Sequence, residues 1–164
     1  MRMFAPLVGL GCIVLLAAGC QPQTACPAIA QAPVVALTVA REYAGTVQTL
    51  RLKACQDGRC AEADLELFPG STSVDQGCEP GADGGDRACS ATATPDGTLT
   101  GMLTLDPLTE SPIEVTSRGT GADGVPLPVR TLTFTPQVAY PYGEKCGRFI
   151  SAGVLLDAEG LRAV

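Results

Sequence analysis

Cysteines and carboxylates are the residues of this chain whose numbers and spacing could support chemistry. Eight cysteines stand at positions 12, 20, 26, 55, 60, 78, 89 and 146. Seventeen Asp and Glu stand against eleven Lys and Arg, for a net charge of −6. There is no His, which removes the Ser-His-Asp triad, the Cys-His dyad and every histidine metal site. Four acids, Asp75, Glu79, Asp83 and Asp86, fall in one Gly-rich stretch and have the oxygen chemistry for Ca²⁺. Their spacing lacks the ordered ligand positions and terminal bidentate Glu of an EF-hand, so a solvated acidic loop is the expectation. Cys55, Cys60, Cys78 and Cys89 would bind zinc only as reduced thiolates. Cys55 and Cys60 are spaced C-x4-C rather than the C-x-x-C of thiol redox catalysts. Sugar hydrolysis by a carboxylate pair needs an aromatic-lined cleft, and aromatic residues are 4% of the chain with no Trp. No Gly-rich run precedes a Lys-Ser or Lys-Thr pair, and the acidic balance disfavours nucleic acid. The expectation is therefore a non-enzymatic chain with no cofactor, no metal and no nucleic-acid partner.

The first twenty residues address the chain. Arg2 precedes an apolar run over 4–18, followed by Gly19-Cys20, the layout of a secretory signal. Pro6, Gly9 and Gly11 interrupt the run, which is shorter than the about 20 apolar residues of a spanning helix. Leu16-Ala17-Ala18-Gly19-Cys20 resembles the lipobox of bacterial lipoproteins, with Ala17 at the place where Leu is usual. In that family the Cys is diacylated and cleavage falls just before it. The resemblance implies a signal over 1–19 and lipidation of Cys20, with Cys12 leaving with the signal. Two or three acyl chains would make membrane attachment stable, whereas one is marginal.

Six cysteines then remain, an even number in an exported chain, which reads as a disulfide framework. Six cysteines allow many pairings, and one has local support. In Cys55-Gln56-Asp57-Gly58-Arg59-Cys60 the Asp-Gly step is a two-residue hairpin turn. About that turn Cys55 faces Cys60, Lys53 faces Glu62 and Arg51 faces Asp64. The other face brings Leu50 to Leu65, Leu52 to Ala63 and Ala54 to Ala61. A one-residue slip would destroy both patterns. Gln56 and Arg59 make the hydrogen-bonded pair beside the turn, which leaves Cys55 and Cys60 at a non-hydrogen-bonded pair, close enough for a bridge. Cys78 and Cys89 bracket a polar stretch that a bridge at its base would hold. Cys26 and Cys146 are left, and would tie the N-terminal segment to the last hairpin.

Beyond Cys20 no segment keeps a 3.6-residue apolar period over three turns, while strand signals recur. The candidates are 33–40, 47–55, 60–68, 98–105, 112–117, 125–135 and 148–156, separated by turn residues such as Asp96-Gly97 and Pro141-Tyr142-Gly143. Leu99, Leu103 and Leu105 point inward, as do Leu132 and Phe134. Seven short strands with little helix predict an all-β, antiparallel, immunoglobulin-like sandwich stapled by disulfides. Residues 20–32 read as a tether and 33–164 as the sandwich. Residues 71–94 read as a long polar loop between strands.

Three stretches carry a wider resemblance: Ala25-Cys26-Pro27-Ala28-Ile29, Cys55 to Cys60, and Val138-Ala139-Tyr140-Pro141-Tyr142-Gly143-Glu144-Lys145-Cys146-Gly147. With them the chain resembles small actinobacterial envelope lipoproteins that carry an immunoglobulin-like or carboxypeptidase-regulatory-like sandwich. The resemblance implies a location and a fold, and no reaction. The functional expectation is a lipoprotein at the extracytoplasmic face of the cell membrane, anchored by lipid on Cys20. It would act as an interaction or accessory module toward an envelope protein. The alternative is an extracytoplasmic small-ligand or cation-binding protein that uses the acidic 71–94 stretch. Tyr140-Pro141-Tyr142 reads as a Pro-stabilised turn or a small contact platform.

Overall fold

A computed structural model describes residues 25–79 and 88–164. The signal over 1–19, Cys20, residues 21–24 of the tether, Asp83 and Asp86 lie outside the described residues. The strands are β1 (Val34–Val39), β2 (Val47–Gln56), β3 (Arg59–Asp64), β4 (Phe68–Glu79), β5 (Ala88–Thr104), β6 (Ile113–Gly121), β7 (Arg130–Phe134), β8 (Gln137–Ala139), β9 (Phe149–Leu156) and β10 (Leu161–Ala163). Among the described residues helix is confined to α1 (Arg41–Ala44) and a 3-10 turn at Glu144–Cys146. Among the described residues no helix is long and apolar enough to cross a membrane.

Two sheets form a sandwich, one ordered β10-β9-β1-β5-β4 with β8 on β9, the other β3-β2-β6-β7. The order follows the immunoglobulin pattern: β1, β5 and β4 occupy the places of B, E and D, and β2, β6 and β7 those of C, F and G. The place of strand A, beside B, is taken by β9 from the far end of the chain. It runs parallel to β1, with Val35 opposite Ala152 and Val39 opposite Leu156. The sheet is thus not wholly antiparallel as expected. Strands with a parallel neighbour inside a sheet read as near-continuous apolar runs, and Val34-Val35-Ala36-Leu37-Thr38-Val39 is one.

The core fills the space between the sheets. Val35, Leu37 and Val39 from β1 and Val154 and Leu156 from β9 meet Leu50 and Leu52 from β2 and Ile113 and Val115 from β6. Leu103 and Leu105 are buried with them, and Leu99, Leu132 and Phe134 pack at the margin, the orientations expected from their alternation. Among the described residues no aromatic ring is fully buried. Fully burying a Val or Leu side chain contributes about 1.5–3 kcal/mol, so this aliphatic core is the main source of cohesion between the sheets.

Residues 71–94 are a correction. Instead of a loop, the described part of this stretch is the paired arms of a β-hairpin, from Phe68 opposite Thr100 out to Cys78 opposite Cys89. Residues 71–78 and 89–95 are exposed on both faces. A strand that buries neither face has no reason to alternate apolar and polar residues, so its period is invisible in sequence. Asp96-Gly97 does not separate two strands either. Pro69 pairs with Leu99 and Ser71 with Pro95, so two extra residues on β5 form a bulge there. Gly97 takes φ 84°, and Asp96 accepts hydrogen bonds from the Thr98 N–H (2.9 Å) and hydroxyl (2.7 Å). The bulge marks where the strands leave the sandwich and continue as a free ribbon.

The register gives the molecule two poles. β1 starts at Val34, beside Thr104 and near the start of β9, and ends at Val39, beside Leu99. The ribbon continues past the Val39 end. The segment before β1 and the 3-10 turn before β9 lie at the other end. From Ser71 to Cys78 the ribbon spans about 23 Å at the usual rise of ~3.3 Å per strand residue.

Candidate functional site

The Asp57-Gly58 hairpin forms in the expected register, with Arg51 opposite Asp64, Lys53 opposite Glu62 and Cys55 opposite Cys60. Asp57 and Gly58 both take positive φ, 51° and 76°, as a type I′ turn requires. On the outer face Arg51 lies 2.9 Å from Asp64 and 3.9 Å from Glu62. The inner face carries Leu50, Leu52, Ala54 and also Gln56, which is only 4% exposed.

Sequence reasoning placed Gln56 as the partner of Arg59 and missed its burial. Its amide N–H groups donate to the carbonyls of Thr109 (3.0 Å) and Ser111 (2.6 Å). Its carbonyl accepts from the Thr109 N–H at 2.9 Å. The Thr109 hydroxyl donates to Asp57 at 2.7 Å. This bond, with Ser111 next, holds the Asp57 carboxyl below the ordinary carboxylate range. The cluster fastens the 106–112 connection to the hairpin end. The available signal was parity: Gln56 sits on the same alternate positions as Leu50, Leu52 and Ala54.

All three expected disulfides form. Cys55–Cys60 and Cys78–Cys89 join paired strands at Cα separations of 4.1 and 4.0 Å, the close spacing of non-hydrogen-bonded pairs. Cys26–Cys146 joins residues 120 apart in sequence at 5.2 Å. The four cysteines weighed for zinc are thus divided between bridges in different sheets. Among the described residues no bridge crosses the sandwich: Cys55–Cys60 and Cys78–Cys89 each lie within one hairpin, and the third ties the N-terminal segment to the turn before β9. Each fastens a margin, and the sheets meet chiefly through apolar packing.

The Cys26–Cys146 bridge is reinforced. The Gln31 side chain donates to the Ile150 carbonyl and accepts from the Ile150 N–H at 3.0 Å. It acts as one more backbone unit at the start of the β1–β9 ladder. On the far side of Ile150, β8 pairs with β9 through Val138. The chain then turns at Tyr140-Pro141-Tyr142-Gly143, closed by the Gly143 N–H on the Tyr140 carbonyl at 3.0 Å. Tyr142 meets Phe149 edge-on at 6.1 Å between ring centroids. The bridge, Gln31, the turn and the two rings form one block at the pole opposite the ribbon.

Of the acids weighed as cation ligands, Asp75 accepts from the Gly77 N–H at 2.7 Å, capping a bulge in β4. Among the described residues no three Cys, Asp or Glu side chains converge to hold a metal ion. A depression of about 400 Å³ is lined by Glu42, Asp157, Glu159 and Arg162. There Asp157 accepts from the N–H groups of Glu159 and Gly160 and pairs with Arg162 at 3.4 Å. An apolar depression of about 330 Å³ beside the 121–127 turn is lined by Thr46, Val125 and Leu127, with Asp123 as its acid. That carboxylate accepts from the Val125 N–H at 3.0 Å. These carboxylates shape turns in their own backbone. The chain matches no protein-family model, no curated protein and no solved structure.

Proposed function

We propose that this chain is a non-enzymatic lipoprotein of the bacterial cell envelope, held at the extracytoplasmic face of the membrane by lipid on Cys20. The observation that carries the reading is the completeness of the disulfide framework. Every cysteine from 26 onward is bridged, so Cys20, at the end of its lipobox-like motif, is not needed by the fold. Three disulfides also fit an exported chain, because the cytosol keeps thiols reduced. The likeness of the three quoted stretches to small actinobacterial envelope lipoproteins supports the same location.

The role that follows is tethering. Lipid confines the sandwich to a thin layer at the membrane and raises its effective concentration toward membrane neighbours. The ribbon, at the pole away from the tether, is the part carried farthest out. The test is mass spectrometry of the protein extracted from its own membranes, with thiols alkylated first. An acylated chain beginning at Cys20 with no alkylated cysteine is expected, and Cys20→Ala should release the protein from the membrane. An unacylated chain would overturn the reading.

A further inference from the structure

We propose that the pole around the Cys26–Cys146 bridge rests on the lipid headgroup layer, with Tyr140 and Tyr142 as its contacts. The inference builds on the lipid anchor at Cys20. Reach is the first argument. Residue 26 is fixed to the body by the bridge, and Gln31 fixes the segment again at Ile150. Six residue steps separate Cys20 from Cys26, at most about 21 Å of extended chain. A compact body of this size is about 35 Å across. The tether is shorter than the molecule, so the bridged pole is the one brought to the membrane and the ribbon points outward.

Chemistry is the second argument. Around the bridge Ile29 is 54% exposed, Tyr140 47% and Tyr142 43%, with Val138 also exposed. Tyrosines concentrate at membrane–water interfaces because the ring accepts an apolar setting while the hydroxyl stays hydrated. Tyr142 is braced by Phe149 and held in a closed turn, so little side-chain freedom would be lost on contact. Charge is the third argument. Residues 25–32 carry no charge, and 136–150 carry Glu144 against Lys145 and Arg148. The 106–112 connection, which starts beside Pro33 at the same end, adds Asp106 and Glu110, the latter paired with Arg148 at 2.6 Å. These charges nearly cancel, whereas the whole chain is −6, so an anionic lipid surface repels this pole only weakly.

The chain has no Trp, so Tyr140→Trp, Tyr142→Trp and Val74→Trp each introduce a single fluorophore, the last on the exposed ribbon. Each variant is extracted from its own membranes in acylated form. It is then reconstituted into phosphatidylglycerol–phosphatidylcholine vesicles with brominated acyl chains. Flotation with the vesicles reports the anchor, and quenching by bromine reports which pole lies down. Trp at 140 and 142 should shift to the blue and lose about half or more of its emission, as for side chains entering the headgroup–acyl boundary. Trp at 74 should stay unquenched. Two Tyr positions guard against one variant failing to fold, and melting curves check each. Vesicle-bound protein with unquenched Trp at 140 and 142 would overturn the inference and leave the anchor standing. Protein that does not float would overturn the anchor, and the inference with it.

Discussion

Removing the Cys26–Cys146 bridge should destabilise the whole domain, and removing Cys78–Cys89 should not. The bridges close loops of very different length, with sequence separations of 120 and 11. In the chain-entropy description, the first restricts the unfolded chain by about 4.9 kcal/mol and the second by about 2.8 kcal/mol. The structure separates them further. Cys78 and Cys89 sit on a ribbon that buries no core residue, so it can open while the sandwich stays folded. Its bridge therefore opposes local opening rather than global unfolding. Cys26 and Cys146 flank the two strands that pair in parallel at the centre of a sheet. In a Cys26→Ser/Cys146→Ser variant residues 25–33 gain some freedom in the folded state, so 4.9 kcal/mol is an upper bound. Natural domains have only about 5–15 kcal/mol of net stability, so the loss is a large share of the total. The melting temperature should fall by roughly 10–20 °C. For Cys78→Ser/Cys89→Ser the melt should shift by no more than a few degrees, while amides in 71–78 and 89–95 lose their hydrogen-exchange protection. Calorimetry and exchange on both variants decide the matter. Equal melting shifts for the two, or no shift on losing Cys26–Cys146, would refute the reasoning.

Gln56→Leu keeps the volume but leaves the Thr109 N–H and the carbonyls of Thr109 and Ser111 without partners. It should cost about 2–3 kcal/mol in urea unfolding, with an unchanged m-value. Gly119→Ala should be destabilising by about 1–3 kcal/mol in the same assay, because its methyl would lie 2.0 Å from the Thr49 carbonyl oxygen at the β2–β6 bulge. Acid should weaken the fold through Asp57 and Asp96, whose carboxyls lie below their ordinary range chiefly through hydrogen bonds from Thr109 and Thr98. A depressed folded value means a contribution complete above the unfolded value, near 4, and lost as pH falls through the folded value. Melting curves from pH 7 to 2 should show that decline, and it should be shallower in Asp57→Asn/Asp96→Asn.

The hairpin from Arg51 to Asp64 was legible to the residue because two signals coincide there. The Asp-Gly step fixes the turn, and the charged and apolar faces allow only one register. The buried strands were legible for a related reason: one face of each must be apolar. The ribbon was illegible because burial, and not strand formation, writes the alternation. Asp96-Gly97 has the composition of a turn, and the fold uses it as a bulge, with the same need for a positive φ at Gly97. The pairing of β1 with β9 joins residues more than a hundred positions apart, and only their near-continuous apolar character hinted at a parallel neighbour. β8 and β10, three residues each, are too short to carry a period. Of the candidate site, the three cysteine pairs were readable from turn chemistry, bracketing and parity. Gln56 was not singled out, since a polar residue on an apolar face announces itself only once the strand's inward parity is taken seriously.

The Cys26–Cys146 bridge also determines how the molecule meets mechanical load. Tension on the N-terminal segment reaches the fold at residue 26. Without the bridge, it would run straight into the start of β1 and work along that strand's hydrogen bonds from one end, rupturing them in turn. With it, the force divides at the sulfurs, and part of it enters the chain just before β9. Because β1 and β9 run in the same direction, both are then drawn from the same end. The ladder between them feels little relative displacement, and the load passes to the wider sheet. A domain loaded through this segment is by this device pulled as a unit rather than unzipped.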